Sequence, residues 1–284
     1  MHAPIALFAY NRPRHLEQVI NALLKNKESR SSDLVVYSDA PRTIEDGTRV
    51  AEVRRLLDAL DGFRSIRIIK REVNHGLAKS IIGGVSDTLK DYDGVIVLED
   101  DVVPSPHFLD YMNEALRLYK NEETVGCIHA YSYPCPKPLP KTFFLKGADC
   151  WGWGTWKNSW NLFEKNGQVL LDKILDSNLS HQFDLERAVP YTQMLRNQIH
   201  GKNDSWAIRW HASMFLANKL CLHPGKSLVK NIGLDATGTN CLDTDGFDVK
   251  LAEEPISFVN HFIEESTLAR NTIKDFFIKN KLLQ

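Results

Sequence analysis

Apolar positions in the first hundred residues fall into two alternating patterns. Pro4 to Ala9, Leu34 to Ser38, Ile66 to Ile69 and Val95 to Leu98 are short continuous runs, as expected of strands covered on both faces. Between them, Leu16, Val19, Ile20, Leu23 and Leu24, then Val50, Val53, Leu57 and Leu60, then Leu77, Ile81, Val85 and Leu89 recur at helical spacing. Pro13 suits the first turn of the first helix, and Gly62 suits a left-handed end for the second. Strand and helix in alternation predict an α/β chain whose mostly parallel sheet carries helices on both faces.

The second half loses this rhythm. A helix is expected around Phe108 to Leu118 and a strand near Val125 to His129. The stretch Tyr133-Pro134-Cys135-Pro136-Lys137-Pro138-Leu139-Pro140 cannot join a regular element, because its prolines lack amide donors and hold extended geometry. It separates region 1–132 from region 133–284, expected to be parts of one continuous domain. Beyond it, Trp151-Gly152-Trp153-Gly154 reads as a turn, two helices are expected between Val169 and Asn197, and another from Ser205 to Ala217. Ile232 to Asp248 is polar and glycine-rich, a loop of the length that often forms a lid. There Gly233, Gly238 and Gly246 permit hinges, and Asp235, Thr237 and Thr239 offer hydrogen bonds.

Composition narrows the function. Lys and Arg number 35 against 36 Asp and Glu, which excludes a basic surface built for nucleic acid. Five cysteines with no C-x-x-C pair fit the reduced thiols of a cytoplasmic protein and offer no structural zinc site. The apolar run Ala3 to Tyr10 is too short for a secretory core or a membrane span, so no cleaved leader is expected. From Ile263 onward, Ile273, Phe276, Phe277, Leu282 and Leu283 alternate with Lys274, Lys279 and Lys281. Such a helix either packs on its own domain or lies peripherally on an anionic membrane.

The most telling chemistry is Glu99-Asp100-Asp101, three carboxylates directly after a buried strand. Ligands of open α/β sheets bind beyond the carboxyl ends of strands, and hard carboxylate oxygens there suit Mg2+ or Mn2+ with a phosphate ligand. The competing reading is an acidic turn that caps the helix after Ser105. Asn74-His75-Gly76-Leu77-Ala78-Lys79 reads as a helix entrance whose free amides, with His75 and Lys79, can receive a nucleotide or its phosphates.

Taken in order, Ala9-Tyr10-Asn11-Arg12-Pro13, the triplet with Val102-Val103-Pro104-Ser105-Pro106-His107-Phe108, Trp151-Gly152-Trp153 and Asn203-Asp204-Ser205-Trp206 resemble nucleotide-sugar glycosyltransferases of the GT-A fold. The likeness is to family 2-like enzymes and to the N-acetylglucosaminyltransferase I family, in a form suited to bacterial surface glycans. It implies a Rossmann-like sheet with an acceptor-side subdomain toward the C-terminus. By that resemblance Asp101 coordinates the metal that bridges the nucleotide diphosphate, Asp100 faces the ribose and sugar, and Glu99 orients the site or bonds a donor hydroxyl. Asn11, Arg12 and Asp39 are implied to hold base and ribose. Trp151 or Trp153 is expected near the sugar, with Trp156 and Trp160 in packing.

Asp204 matches the base of the family's Trp-Asp-Asp-Trp segment, although Asn203 and Ser205 replace the first Trp and the second acid. A base must reach the acceptor hydroxyl. Asp204 is otherwise the N-cap of its helix, in which case Asp149 or Asp235 becomes the next candidate base. The implied reaction is metal-dependent, inverting transfer from a UDP-sugar, UDP-GlcNAc by resemblance, to a glycan or lipid-linked glycan acceptor of lipopolysaccharide or capsule synthesis. The alternatives are a sugar-nucleotide nucleotidyltransferase, whose usual glycine-rich phosphate loop is missing after the first strand, and a non-catalytic glycan- or nucleotide-binding protein of the same fold.

Overall fold

The computed structural model describes residues 2–235, 245–258 and 262–280. Along the chain, β1 (Ile5–Ala9), α1 (Pro13–Leu23), β2 (Asp33–Ser38), α2 (Asp46–Asp58), β3 (Ser65–Lys70), α3 (Leu77–Asp91) and β4 (Gly94–Glu99) form the expected alternation. These four strands are parallel and lie in the order β3-β2-β1-β4. Pleating sends Ile5, Leu7 and Ala9 to one apolar layer and Ala6 and Phe8 to the other, so both faces of β1 are covered.

Then follow β5 (Val102–Pro104), α4 (Phe108–Leu118), β6 (Val125–His129), β7 (Thr142–Lys146), β8 (Trp153–Trp156), α5 (Lys157–Trp160) and α6 (Gly167–Asp176). The remainder is α7 (Ser180–Phe183), α8 (Tyr191–Ile199), α9 (Trp206–Leu216), β9 (Leu220–Pro224), β10 (Val229–Asn231) and α10 (Thr267–Asn280). The sheet continues from β4 through β8, β6, β9 and β7, with β8 and β7 antiparallel to their neighbours. Strands from both sides of the proline stretch therefore share one sheet. A separate ribbon pairs β10 with β5, directly after the acidic triplet.

Several expectations need correction. The Trp-Gly segment bends only at Trp151 and Gly152, whose φ is +64°: Trp153 to Trp156 form a central strand between β4 and β6. Its four residues carry no alternation to read, and only the ladders offered by both neighbours make it a strand. The short runs of β7 and β9 are strands for the same reason. The two helices expected between Val169 and Asn197 are three, interrupted where Leu185, Glu186 and Arg187 take successive positive φ angles of 49, 52 and 69°; a right-handed helix cannot continue through such residues. The second helix ends at Asp58, before Gly62, whose φ of +94° marks the left-handed turn slightly further on. Leu24 and Leu77, assigned to apolar faces, are about two-fifths exposed.

In α10, Ile273, Phe276 and Phe277 are buried against the protein. These side chains serve the core and do not face outward to a membrane, while Leu282, Leu283 and Lys281 lie outside the described residues. No described helix is long and apolar enough to cross a membrane.

Candidate active site

From β1 the chain passes to β2 on one side, while β4 pairs on the other, so the crevice beyond Ala9 and Glu99 is a topological switch point. Register sets Phe8 opposite Glu99, and the residues that follow meet across this crevice. Tyr10 N donates to Asp100 Oδ2 at 3.0 Å, and Arg12 Nη1 donates to Asp101 Oδ2 at 2.8 Å. Burial pushes Glu99 well above the ordinary carboxylate range, with the charges of Asp101 and Asp100 adding to it. Asp100 is pushed up to about 7 by burial and then by Asp101. The cluster therefore resists full ionisation: three carboxylates stand against the one positive charge of Arg12, and held protons lower the repulsion among them.

That imbalance is what a divalent cation relieves, and hard oxygen donors are its preferred ligands. Among the described residues, no group of three His, Cys, Asp or Glu side chains is arranged to hold a metal unaided. Asp101 is as buried as Asp100; it is bonded to Arg12, while Asp100 accepts the Tyr10 amide.

Arg12 also approaches Asp235, with Nη2 3.5 Å from Oδ1, and His15 Nε2 lies 3.1 Å from the other oxygen of that carboxylate. Ile232 N donates to the Asp101 carbonyl at 2.8 Å. A Cβ on Gly233 would come within 2.1 Å of Asp101 Oδ2 and 2.9 Å of Arg12 Nη1, so only glycine lets this backbone pass over the ion pair. The start of the long loop is thereby fixed to the acidic triplet. Thr237 and Thr239 lie outside the described residues.

The other donor-side candidates are more structural than expected. Asp39 is buried and accepts from the amides of Ala40, His75 and Gly76 at 2.9 Å, so it occupies the helix entrance that was expected to offer free amides to phosphate. The His75 side chain is half-buried and Lys79 is exposed. Asn11 Nδ2 donates to Asp46 Oδ1 at 2.6 Å, and Tyr10 Oη to Asp46 Oδ2 at 2.7 Å. Burial and then the bond to Asp46 push the Tyr10 phenol up to about 12. Sequence reasoning missed Asp46, whose one local signal was an acid in the first turn of α2.

On the other side, α9 runs with Trp206 stacked on Trp153 at 5.3 Å and Trp210 beside Trp160 at 5.1 Å. Trp153 pairs with Val97 near the carboxyl end of β4, so its stacking with Trp206 packs the first turn of α9 against that part of the sheet. Asp204 lies just before this turn with its side chain two-thirds exposed, 3.1 Å from Arg209 Nη2. It is not the N-cap: Ser205 Oγ accepts from Ile208 N, and the cap role falls to the residue after it.

Trp153 is almost wholly buried within this indole cluster, so it is a packing residue and not a sugar contact. Trp156 and Trp160 are also in packing, donating to the Leu116 carbonyl and Ser86 Oγ. Trp151 remains half-exposed beside Tyr131 and Phe247, and its amide donates to His129 Nε2 at 3.2 Å. Asp149 accepts from Tyr133 Oη at 2.7 Å; burial alone would raise its pKa, but the nearby His129 and His223 and the Tyr133 bond bring it below the ordinary value. The Cys150 thiol is pushed up by burial and then by the charges of Asp149, Glu99 and Asp101.

Among solved structures, the chain is similar to the mannosyltransferase PcManGT from Pyrobaculum calidifontis in complex with GDP-Man and Mn2+. That match has 16% identity over 47% of this chain and 37% of that one, at a TM-score of 0.36. It is also similar to S. aureus TarS 1-349 in complex with UDP, with 16% identity over 52% and 40% of the two chains and a TM-score of 0.34. The chain covers less than half the length of either structure. No curated protein matches it. The sequence model "Glycosyl transferase family 2" matches residues 5–176, more than half the chain, from β1 through the acidic triplet to α6. With a GT-A sheet, an acidic switch point and that match, the chain belongs to glycosyl transferase family 2.

Proposed function

We propose that this protein is a metal-dependent, inverting glycosyltransferase that moves a sugar from a UDP-sugar to a glycan acceptor of bacterial lipopolysaccharide or capsule synthesis. One observation carries the reading: Glu99, Asp100 and Asp101 meet at the switch point against the single guanidinium of Arg12, an arrangement that burial and mutual repulsion make costly to ionise fully without a cation. Family membership supports nucleotide-sugar chemistry at that edge.

Asp101 would hold Mn2+ or Mg2+, which when bound stabilises the charge that grows on the departing diphosphate. Arg12 sits at the same edge to bond the phosphates, and Asn11 and His75 stand on the loops where base and ribose would lie. Asp204 takes the proton of the acceptor hydroxyl as that oxygen attacks the anomeric carbon from the face opposite the leaving group. Arg209 steadies its carboxylate without covering it. Trp151, partly buried beside Tyr131 and Phe247, offers an aromatic edge on the acceptor side. UDP-GlcNAc is the donor favoured by the likeness to the N-acetylglucosaminyltransferase I family.

The test is to incubate the protein with Mn2+ and a panel of UDP- and GDP-sugars and measure the free nucleoside diphosphate released. Selective release from one UDP-sugar, abolished by chelation, is expected. Release of pyrophosphate from a nucleoside triphosphate would replace the reading with nucleotidyl transfer.

A further inference from the structure

Arg12 is bound to the acidic cluster in a way that a simple donor contact does not need. Its Nη1 bonds Asp101 at 2.8 Å, with both side chains nearly nine-tenths buried, and its Nη2 reaches toward Asp235. Its Nε is buried with no hydrogen-bond partner. Gly233 passes over the pair, and Ile232 ties the same strand end to the Asp101 carbonyl. A guanidinium and a divalent cation repel each other at such distances and compete for the same carboxylate lone pairs. A cation arriving alone must therefore displace Arg12 from Asp101 and leave a buried guanidinium without its main partner, which is costly.

We propose that Arg12 makes cation capture conditional on the nucleotide: it holds Asp101 while the donor is absent and passes to the diphosphate when donor and cation enter together. The proposal rests on the reading of Asp101 as the cation's carboxylate. A diphosphate supplies what the arginine loses, because its oxygens accept a forked guanidinium pair and can satisfy the unpartnered Nε. The exchange leaves Asp101 on the cation and Arg12 on the phosphate, with no buried charge unpaired. Linkage then requires nucleotide and cation to raise each other's affinity by the same factor.

Calorimetry on the full chain tests this, titrating MnCl2 alone, UDP alone, and each in the presence of the other, for the parent and Arg12→Gln. The parent should bind Mn2+ alone weakly, and Arg12→Gln should bind it on the order of tenfold more tightly, because the competing cation is gone. UDP affinity falls in the variant because a phosphate contact is lost. The informative value is the coupling between Mn2+ and UDP, which should shrink by about the factor gained for Mn2+ alone. Arg42 lies in the loop after β2, its amide donating to Tyr10 Oη at 3.0 Å, so Arg42→Gln removes a nearby charge without touching Asp101 and should match the parent. Equal Mn2+ affinity in parent and Arg12→Gln, or the same gain in Arg42→Gln, overturns the role assigned to Arg12 while metal-dependent UDP binding by the parent stands. A parent that shows no metal-dependent UDP binding overturns the donor-site reading itself.

Discussion

At the scale of single residues, two carboxylates divide the proposed chemistry. Asp101→Asn keeps an acceptor for Arg12, so the fold should survive, but it removes the charge that would hold the cation. Manganese-dependent UDP affinity should fall on the order of ten- to a hundredfold by calorimetry, with a melting temperature close to the parent's. Unchanged metal dependence would move the cation elsewhere. Asp204→Asn should leave UDP binding intact and lower transfer by on the order of a hundredfold or more, the usual scale for a lost general base. Since Asp204 is exposed and does not cap α9, the loss of its contact with Arg209 should cost less than about 1 kcal/mol. Near-parental turnover would direct attention to Asp149 or to Asp235, the latter beside Arg12.

Elements are held at this edge by short side-chain clamps. Ser205 caps α9, so Ser205→Ala should lower stability by about 1 kcal/mol while transfer falls far less than in Asp204→Asn. Thermal melts paired with turnover separate the two adjacent residues. Asp39 joins the end of β2 to the entrance of α3 through three backbone amides. Asp39→Ala should cost about 1.5–3 kcal/mol, the range for hydrogen bonds to a charged group, and should weaken UDP binding with or without metal. If stability falls but UDP affinity holds, the entrance of α3 is not part of the nucleotide site.

For the molecule as a whole, the far edge of the sheet supplies an acid-sensitive anchor. Asp33 accepts from Arg64 Nε at 2.8 Å and from Tyr92 Oη at 2.8 Å, and the bond to Arg64 is the largest influence holding its pKa below the ordinary carboxylate value. A carboxyl with a lower pKa in the folded than in the unfolded state stabilises fully above the unfolded value, about 3.9, and loses this as pH falls through the folded value. Because Arg64 is partly exposed, Asp33→Asn should lower stability by only about 1.5 kcal/mol at pH 7. Thermal melts from pH 7 down to pH 2.5 should show the gap between parent and variant closing below about pH 4. A gap that stays constant across that range would remove the ion pair as its cause.

The sequence by itself determined the α/β half of the protein. Val95 to Leu98 leading into Glu99-Asp100-Asp101 is a local pattern, and a buried strand followed by carboxylates has few other physical readings. Arg12 and Asp204 each stand next to a helix start that sequence spacing marks, so their places in the fold were legible while their roles are proposals. Beyond β4 only β6 was legible in the sequence; β8 is too short for periodicity, and the order of β8, β6, β9 and β7 comes from ladders between partners distant along the chain. The same distance hid Asp46 beneath Tyr10 and Asn11, Asp39 within the α3 entrance, and Trp153 inside an indole cluster. Residue type declares what a side chain is able to do. Which partner takes up its hydrogen bonds is set by contacts that no local stretch of sequence contains.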